Sequence, residues 1–332
     1  MKGRILVYAL PALILVIFHV AEAQQASNLR RIGYLTQASE PATGYEVFRQ
    51  ELSNLGYIEG KNIEIEYRSA EIRRQTAAEI QPRLDKLATG LFQKKVDVIV
   101  TIGGRATRTV QRATKTVPIV FTLSGDPIES GFVESLARPG SNLTGITWMA
   151  FELAGKRLEL LKETSPKVSR VALLTNPTNP GEYLETREVR STAGSFGMTL
   201  LYHRVKDKIE YDFAFNDIPS EKADGLLVFP EETSMEYRQQ IADFAIKHRL
   251  PSMFGWREYV DTGGLMAYGP NRAESLRRIA VYVDKILKGA KPTELPVERP
   301  TKFELIINLK TAERIGLTIP PNVLARAQKV IR

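Results

Sequence analysis

The fold is decided by residues 96–127, which read VDVIVTIGGRATRTVQRATKTVPIVFTLSGDP. The apolar, β-branched run 96–103 predicts a buried strand, and a second such run, 117–122, predicts another. The segment between them predicts a helix that opens just after Gly103-Gly104. Because parallel strands need a crossover connection, this stretch predicts a strand–helix–strand unit of a parallel sheet.

Short strand-like runs alternate with longer amphipathic segments along most of the chain. The helical spacing of apolar residues is clearest over residues 45–55 and 276–287. The strand candidates fall into two sets of four, namely 31–36, 62–68, 96–103 and 117–122, then 170–176, 198–205, 224–230 and 251–256. Strands in this order, with helices between them, predict a parallel sheet that is covered on both faces.

The two sets of strands resemble one another. Residues 96–100, VDVIV, are similar to residues 223–228, ADGLLV, and residues 31–36, RIGYLT, are similar to residues 170–175, RVALLT. We therefore predict the α/β class, with two similar doubly wound parallel-sheet lobes joined by a hinge and a ligand cleft between them.

Turn residues 138–142, RPGSN, mark the junction between the lobes. The extended runs 143–148 and 263–270 are predicted to cross between the lobes, and the helix 272–288 is predicted to pack back on the first lobe. The predicted lobes are residues 28–143 plus about 269–290, and residues 144–268 plus about 291–332.

The N-terminus carries the pattern of a targeting signal. Lys2 and Arg4 precede the apolar stretch 5–20, and Ala21-Glu22-Ala23 follows as a cleavage site. The alternative is a membrane anchor, but the stretch is shorter than the ~20 residues that a spanning helix needs. We expect residues 1–23 to be a cleaved signal peptide and the protein to be periplasmic.

Composition excludes several function classes. The 332 residues include 46 Lys and Arg against 38 Asp and Glu, a formal net charge of +8, and no cysteine. The lack of cysteine excludes thiolate catalysis, cysteine-ligated zinc, iron–sulfur clusters, disulfides and lipid attachment to an N-terminal cysteine. Charges of both signs alternate in segments such as 71–74 and 187–190, which argues against nucleic-acid binding.

Catalytic patterns are also missing. His203 and His248 lie far apart without metal-ligand spacing, and no G-x-S-x-G elbow occurs. We therefore expect a protein that is not an enzyme and that has neither a cofactor nor a metal site.

Ligands of open α/β sheets bind beyond the carboxyl ends of the strands, where helix N-termini offer free N–H groups. The residues at these ends mostly offer hydrogen bonds. The candidate ligand-binding residues are Thr36, Gln37, Gly103, Gly104, Arg105, Ser124, Asp126, Asn176, Glu231 and Trp256, with Tyr268 from the second extended run.

Two of these positions allow alternative interpretations. The turn Gly103-Gly104-Arg105 is either a tight strand-to-helix turn or a ligand-facing anion site, and it lacks the spacing of a dinucleotide site or a P-loop. Asp126, before Pro127, either caps the following helix or receives the ammonium of a zwitterionic ligand while Ser124 donates to its carboxylate. Both roles of Asp126 can coexist.

Longer motifs resemble a known family. Residues 126–131, DPIESG, and 138–145, RPGSNLTG, resemble ABC-transporter substrate-binding proteins of the group that contains tryptophan-binding members. Residues 282–292, 295–298 and 303–321 are similar to the same family's C-terminal end. The resemblance implies a periplasmic-binding-protein fold of the type with a three-strand hinge, and aromatic amino acids as one ligand class.

The chain departs from the family pattern at Gly104-Arg105, where the family has a small or hydroxyl residue followed by Pro or Ala. Arg105 at the cleft would favour an additional anionic group on the ligand. We expect a solute-binding receptor, monomeric or weakly dimeric, that takes a small polar or zwitterionic molecule to an ABC permease in the inner membrane. The alternatives are a sensory ligand-binding protein for a membrane receptor and an exported enzyme.

Overall fold

The computed structural model of the protein describes residues 29–39 and 43–332. The predicted signal peptide, residues 1–23, lies outside the described residues, and its cleavage therefore stays a prediction. Within the described part of the chain, no helix is both long and apolar enough to cross a membrane.

The first sheet has five parallel strands. They are β1 (Arg30–Thr36), β2 (Ile63–Ser69), β3 (Val98–Ile102), β4 (Ile119–Leu123) and β5 (Leu143–Thr147). Their order is β2-β1-β3-β4-β5, so that β2 and β5 are the two edges. The helices that accompany this sheet are α1 (Thr43–Asn54), α2 (Ala77–Gln93) and α3 (Gly104–Ala113).

The second sheet has seven strands. They are β6 (Arg170–Thr175), β7 (Thr199–Arg204), β8 (Gly225–Val228), β9 (Ser252–Phe254), β10 (Met266–Gly269), β11 (Glu304–Asn308) and β12 (Lys329–Ile331). Their order is β12-β11-β10-β9-β8-β6-β7. Only β10 and β11 pair antiparallel, and the other neighbours of this sheet are parallel.

The remaining helices come after β5 in the chain. They are α4 (Ala154–Thr164), α5 (Glu182–Ser195), α6 (Lys208–Ser220), α7 (Glu232–Glu236), α8 (Arg238–Lys247), α9 (Arg257–Asp261), α10 (Arg272–Leu287), α11 (Leu309–Arg314) and α12 (Pro321–Leu324). The prediction of two similar α/β lobes is confirmed. The eight predicted strands are β1–β4 and β6–β9, with ends that differ by at most two residues.

The chain crosses between the two sheets three times. β5 pairs with β4 before the chain enters the second sheet, and β10 leaves that sheet for α10. On the third crossing, Thr147 N donates to Glu298 O and Glu298 N donates to Gly145 O, each at 3.0 Å.

These hydrogen bonds attach residues 143–147 and residue 298 to the first sheet, whereas we predicted that second-lobe segments begin at 144 and about 291. An extended segment belongs to the sheet that supplies its hydrogen-bond partners, and its own sequence does not identify them. We call residues 29–39, 43–147 and 272–298 the first lobe, and residues 148–271 with 299–332 the second lobe.

Helix α10 completes the core of the first lobe. Its Ile279 and Val283 are fully buried in one cluster with Ile32 of β1 and Phe48 of α1. The helical apolar spacing of residues 276–287 therefore serves packing on the first sheet. A second cluster covers the opposite face of this sheet beneath α2 and α3.

A buried ion pair lies at the crossings in the second lobe. The Arg157 Nη1 lies 3.9 Å from a carboxylate oxygen of Glu185, and each side chain is 1% exposed. Arg157 also donates to Tyr268 O of β10 at 2.8 Å and to Ala150 O, just after β5, at 3.0 Å. One guanidinium thus joins the chain segments of two crossings.

Candidate functional site

The carboxyl ends of the two sheets face one another across a closed cleft. Ser124, which follows β4, accepts a hydrogen bond from Asn179 Nδ2 of the second lobe at 3.1 Å. Tyr183 OH of α5 donates to a carboxylate oxygen of Glu129 in the first lobe at 2.9 Å. The lobes therefore touch directly.

Two glycines permit this approach. Gly103 has a φ of +89°, and a Cβ there would lie 2.8 Å from Glu232 Cγ of the second lobe. A Cβ on Gly104 would lie 2.8 Å from Pro180 Cδ. Because both distances are shorter than a normal contact, larger residues here would hold the lobes apart. The Gly-Gly pair is thus a requirement of closure at the start of α3.

The larger interlobe cavity has a volume of about 270 Å³. Its first-lobe wall is largely aromatic and apolar, and its second-lobe wall carries acidic residues. The lining includes Tyr34, Thr36, Tyr45, Tyr67, Arg73, Ile102 and Leu276, opposite Glu232, Met235, Glu236, Arg238 and Glu258, with Arg272 at the N-terminus of α10. Such a cavity suits a small ligand that has both an apolar body and a charged end.

The aromatic wall is a cluster of three tyrosines. Ring centroids lie 5.0 Å apart for Tyr34 and Tyr45, 4.6 Å for Tyr45 and Tyr67, and 5.6 Å for Tyr34 and Tyr67. Tyr34 and Tyr67 lie opposite one another on neighbouring strands, which places their rings on the same face. These spacings are those of interacting aromatic pairs, and a ligand ring can extend the cluster.

Arg272 separates this cavity from a pair of buried tryptophans. Its guanidinium lies 4.2 Å from the Trp256 ring centroid and 5.0 Å from that of Trp148. It also lies 3.2 Å from a carboxylate oxygen of Glu258 and 3.5 Å from one of Glu232. Arg272 therefore connects α10 of the first lobe to α7 and α9 of the second.

A smaller cavity lies beside α3, with a volume of about 10 Å³, which is about the space that one water molecule needs. It is lined by Gln37, Gly103, Gly104, Arg105 and Ser124 of the first lobe and by Asn179, Glu231 and Glu232 of the second. Glu232 lines both cavities. Burial raises the pKa of Glu232 to about 7, although Arg272 lowers it.

Besides Gln37 Oε1, the smaller cavity contains an unsatisfied group of Arg105. The residue is 8% exposed, its Nη1 has no hydrogen-bond partner, and it has no ion pair among the described residues. Burial lowers the pKa of its guanidinium, while the charge of Glu231 raises it. A buried cation with free N–H donors beside a helix N-terminus is a site for an anionic group.

The structure brings seven of the predicted site residues to these cavities. Thr36 lines the larger cavity, and the other six line the smaller one: Gln37, Gly103, Gly104, Arg105, Ser124 and Glu231. The Glu231 carboxylate also caps α7, since it accepts a hydrogen bond from Thr233 N at 2.8 Å.

The other four predicted residues lie outside both cavities. Asn176 donates to Thr233 Oγ1 at 3.0 Å, and Trp256 is buried beneath Arg272. The Tyr268 ring packs 6.2 Å from that of Phe303. The Asp126 carboxylate accepts from Ile128 N at 2.7 Å and from Glu129 N at 3.2 Å, which is the capping geometry.

Our site prediction did not include the tyrosine cluster or Arg272. A tyrosine on a predicted strand is as typical of the hydrophobic core as of a binding site, so the sequence does not distinguish the two roles for Tyr34 and Tyr67. Their alignment depends on the register of β1 with β2, and the position of Arg272 depends on the second crossing. Glu232 lies beyond the end of β8, next to the predicted residue Glu231.

A larger groove of about 640 Å³ lies outside the cleft, between α10 and the third crossing. Its walls include the ion pair Arg278–Glu298, with N···O at 2.7 Å and both side chains more than one-third exposed. Most of its lining comes from α10 and residues 298–302, and Ile146 is its one strand residue. The interlobe cleft is therefore the candidate site. Among the described residues, no group of three His, Asp or Glu side chains could hold a metal ion.

Comparisons with known proteins agree with this geometry. The model of the family described as ABC transporter substrate binding protein matches residues 41–331. A tyrosine-binding protein of Clostridioides difficile strain R20291 is 23% identical over 271 residues, which covers 81% of this chain and 75% of the relative.

Two solved structures share the fold. A conserved domain protein of Vibrio cholerae is 27% identical with a TM-score of 0.81, covering 91% of this chain and 99% of its own. An ABC domain of Streptococcus pneumoniae in complex with L-Trp is 24% identical with a TM-score of 0.80, covering 91% of this chain and 100% of its own.

Proposed function

Because the chain belongs to the family of ABC transporter substrate binding proteins, we propose that it is the extracytoplasmic solute receptor of an ABC importer. It binds one small molecule between its lobes and delivers it to an ABC permease in the inner membrane. The signal peptide, residues 1–23, directs it to the periplasm, where it works as a monomer or weak dimer and catalyses no reaction. The 332 residues contain no cysteine that could carry a lipid.

We propose an aromatic amino acid, or a close relative of one, as the ligand. The observation that carries this proposal is that the tyrosine-lined cavity and the Arg105 cavity share Glu232 as a lining residue. An aromatic side chain would extend the tyrosine cluster, the ammonium would meet Glu232, and the carboxylate would meet Arg105 and the free N–H groups of α3. The names of two relatives, a tyrosine-binding protein and a domain in complex with L-Trp, support this class.

The proposed contact residues follow from this orientation. Seven come from the sequence prediction: Thr36, Gln37, Gly103, Gly104, Arg105, Ser124 and Glu231. Four are added from the cavity walls: Tyr34, Tyr45, Tyr67 and Glu232. Asn176 and Trp256 act indirectly, since they support Glu231 and Arg272.

Calorimetric titration with four compounds tests the ligand class. L-tryptophan and L-tyrosine are expected to bind, whereas tryptamine lacks the carboxylate and indole-3-propionate lacks the ammonium. Each analogue should bind at least about tenfold more weakly, because each loses a charge-assisted hydrogen bond. Equal affinity for tryptamine and L-tryptophan would contradict the carboxylate site, and no binding of either amino acid would refute the ligand class.

Uptake measurements test the transport role. A native host that lacks this protein should lose high-affinity uptake of the labelled ligand, and the unaltered protein should restore it. Mass spectrometry should recover the ligand unchanged after incubation with the protein. Normal uptake in the deletion strain would favour a sensory role, and a modified product would indicate an enzyme.

The Asp126→Asn variant is expected to bind the ligand as tightly as the unaltered protein. The Asp126 carboxylate already caps the turn at Ile128 and Glu129, and it lines neither cavity. Asn caps about as well as Asp, so the free energy of unfolding should change by no more than about 0.5 kcal/mol. Titration calorimetry beside a thermal melt measures both quantities, and a tenfold loss of affinity in a folded variant would return Asp126 to the site.

A further inference from the structure

Direct contacts between protein groups also join the two lobes at the sheet edges that lie farthest from the three crossings. β2 and β7 are the outermost strands of their sheets, and the crossings use β5, β10 and β11. The segment after β2 meets residues after β7 and at the end of α7. We call this set the latch, which comprises Arg73 and Ala77 of the first lobe with Asp207 and Glu236 of the second.

Asp207 caps two helices from different lobes. Its Oδ1 accepts from Glu210 N at 3.1 Å, which caps its own helix α6. Its Oδ2 accepts from Ala77 N, the first residue of α2 in the other lobe, at 2.8 Å. Asp207 is 7% exposed, and a carboxylate at two helix N-termini is favoured by both helix dipoles.

Arg73 makes the second contact of the latch. Its Nη2 donates to Glu236 O at 2.6 Å, and its Nε lies 3.2 Å from a carboxylate oxygen of the same residue. Arg73 thus binds the C-terminal end of α7, where free carbonyls attract a cation. Its side chain is half exposed, and it also lines the larger cavity. Asp207 is therefore the cleaner residue to test.

We propose that the latch stabilises the closed conformation in the absence of ligand, and so sets how much of the free receptor is already closed. Rotation about the crossings moves the far edges of the lobes most, so opening separates Ala77 from Asp207. The Ala77 N–H and one Asp207 oxygen then lose their partner. A ligand that binds the closed form has an apparent affinity that rises with the closed fraction, although the latch aspartate does not line the cavities.

Two variants remove the central bond from opposite lobes. Asp207→Ser keeps a good N-cap for α6 but has one short acceptor, which cannot also reach Ala77. Ala77→Pro removes the donor at the first position of α2, where proline is well tolerated. The preceding residue, Thr76, has φ −76° and ψ 161°, which proline permits.

Interlobe distances in ligand-free protein provide the readout. The chain has no cysteine, so that spin labels can be placed at Lys86→Cys in α2 and Asp217→Cys in α6. Both variants are expected to shift the distance distribution towards longer values and to lower the closed-to-open ratio by about tenfold. The control is Asp212→Ser, an equal charge change on α6 at a residue whose ion pair, with Lys208, stays within the second lobe. It should leave the distribution unchanged.

No ligand is added, so the result does not depend on the proposed function. Unchanged distances in both variants would overturn the latch. A shift in only one variant would also overturn the latch, because both variants remove the same hydrogen bond. A shift in one alone would come from a local change in the substituted helix. If thermal melts show that one variant is unfolded, the other decides alone.

Discussion

Replacing Arg157 by methionine is expected to lower the free energy of unfolding by about 2–6 kcal/mol, because it leaves two buried carbonyls without a donor at about 1–3 kcal/mol each. Methionine fills similar space but donates no hydrogen bonds. The carbonyls of Ala150 and Tyr268 then lose the bonds that Arg157 makes to them. Urea denaturation monitored by tryptophan fluorescence measures the change, and a loss below about 1 kcal/mol would contradict this account.

Glu185→Gln is the matched variant, and its effect depends on pH. Burial raises the pKa of Glu185 to about 8, even with Arg157 lowering it. The unfolded chain titrates near the ordinary value of about 4.3, so between these values only the folded state holds the proton. Stability conferred by this carboxyl therefore falls as pH rises from about 4.5 to 8. The free energy of unfolding of Glu185→Gln, relative to that of the unaltered protein, should therefore increase as pH rises from 5 to 8. If this difference does not change with pH, the raised pKa is not that of Glu185.

Arg105→Gln is expected to weaken binding of L-tryptophan or L-tyrosine by about 10–100-fold, which is the loss of a hydrogen bond to a charged group. The reason is that Arg105 is the buried cation with a free N–H at the proposed carboxylate position. Thermal stability of the ligand-free variant should not fall, because an unpaired buried charge is unfavourable in the folded state. Titration calorimetry beside a thermal melt measures both effects.

Arg112→Gln is the control for this prediction. Arg112 lies in the last turn of the same helix, α3, and is exposed. Both variants remove one positive charge, so a general electrostatic effect would change both affinities alike. Equal affinities for the Arg105 variant and the unaltered protein would place the ligand carboxylate elsewhere.

The fold was predictable because apolar runs and turn residues are local signals. The strand at 98–102 and the helix after Gly103 need no knowledge of distant residues. The position of the first crossing was less predictable, since residues 143–147 join the first sheet only through partners on β4 and near Glu298. The elements β11 and β12 had no individual prediction, because the C-terminal segment was recognised only through its resemblance.

The candidate site was predictable where a strand end meets a helix start. Arg105 and Ser124 lie at such ends, and both line the smaller cavity. Asp126 could not be assigned from sequence, because a cap and an ammonium partner use the same carboxylate. Arg272 and Glu232 come together only when the second crossing returns α10 beside α7, and no local pattern encodes that distance.

The three crossings also determine the order in which the protein can fold. Ile32 and Phe48 pack against Ile279 and Val283, which come more than two hundred residues later in the chain. The first lobe therefore completes the side of its core beneath α10 only after residues 148–271 of the second lobe have been synthesised. Contacts of such long sequence separation slow folding. The nascent chain thus lacks this part of the first-lobe core for most of its synthesis.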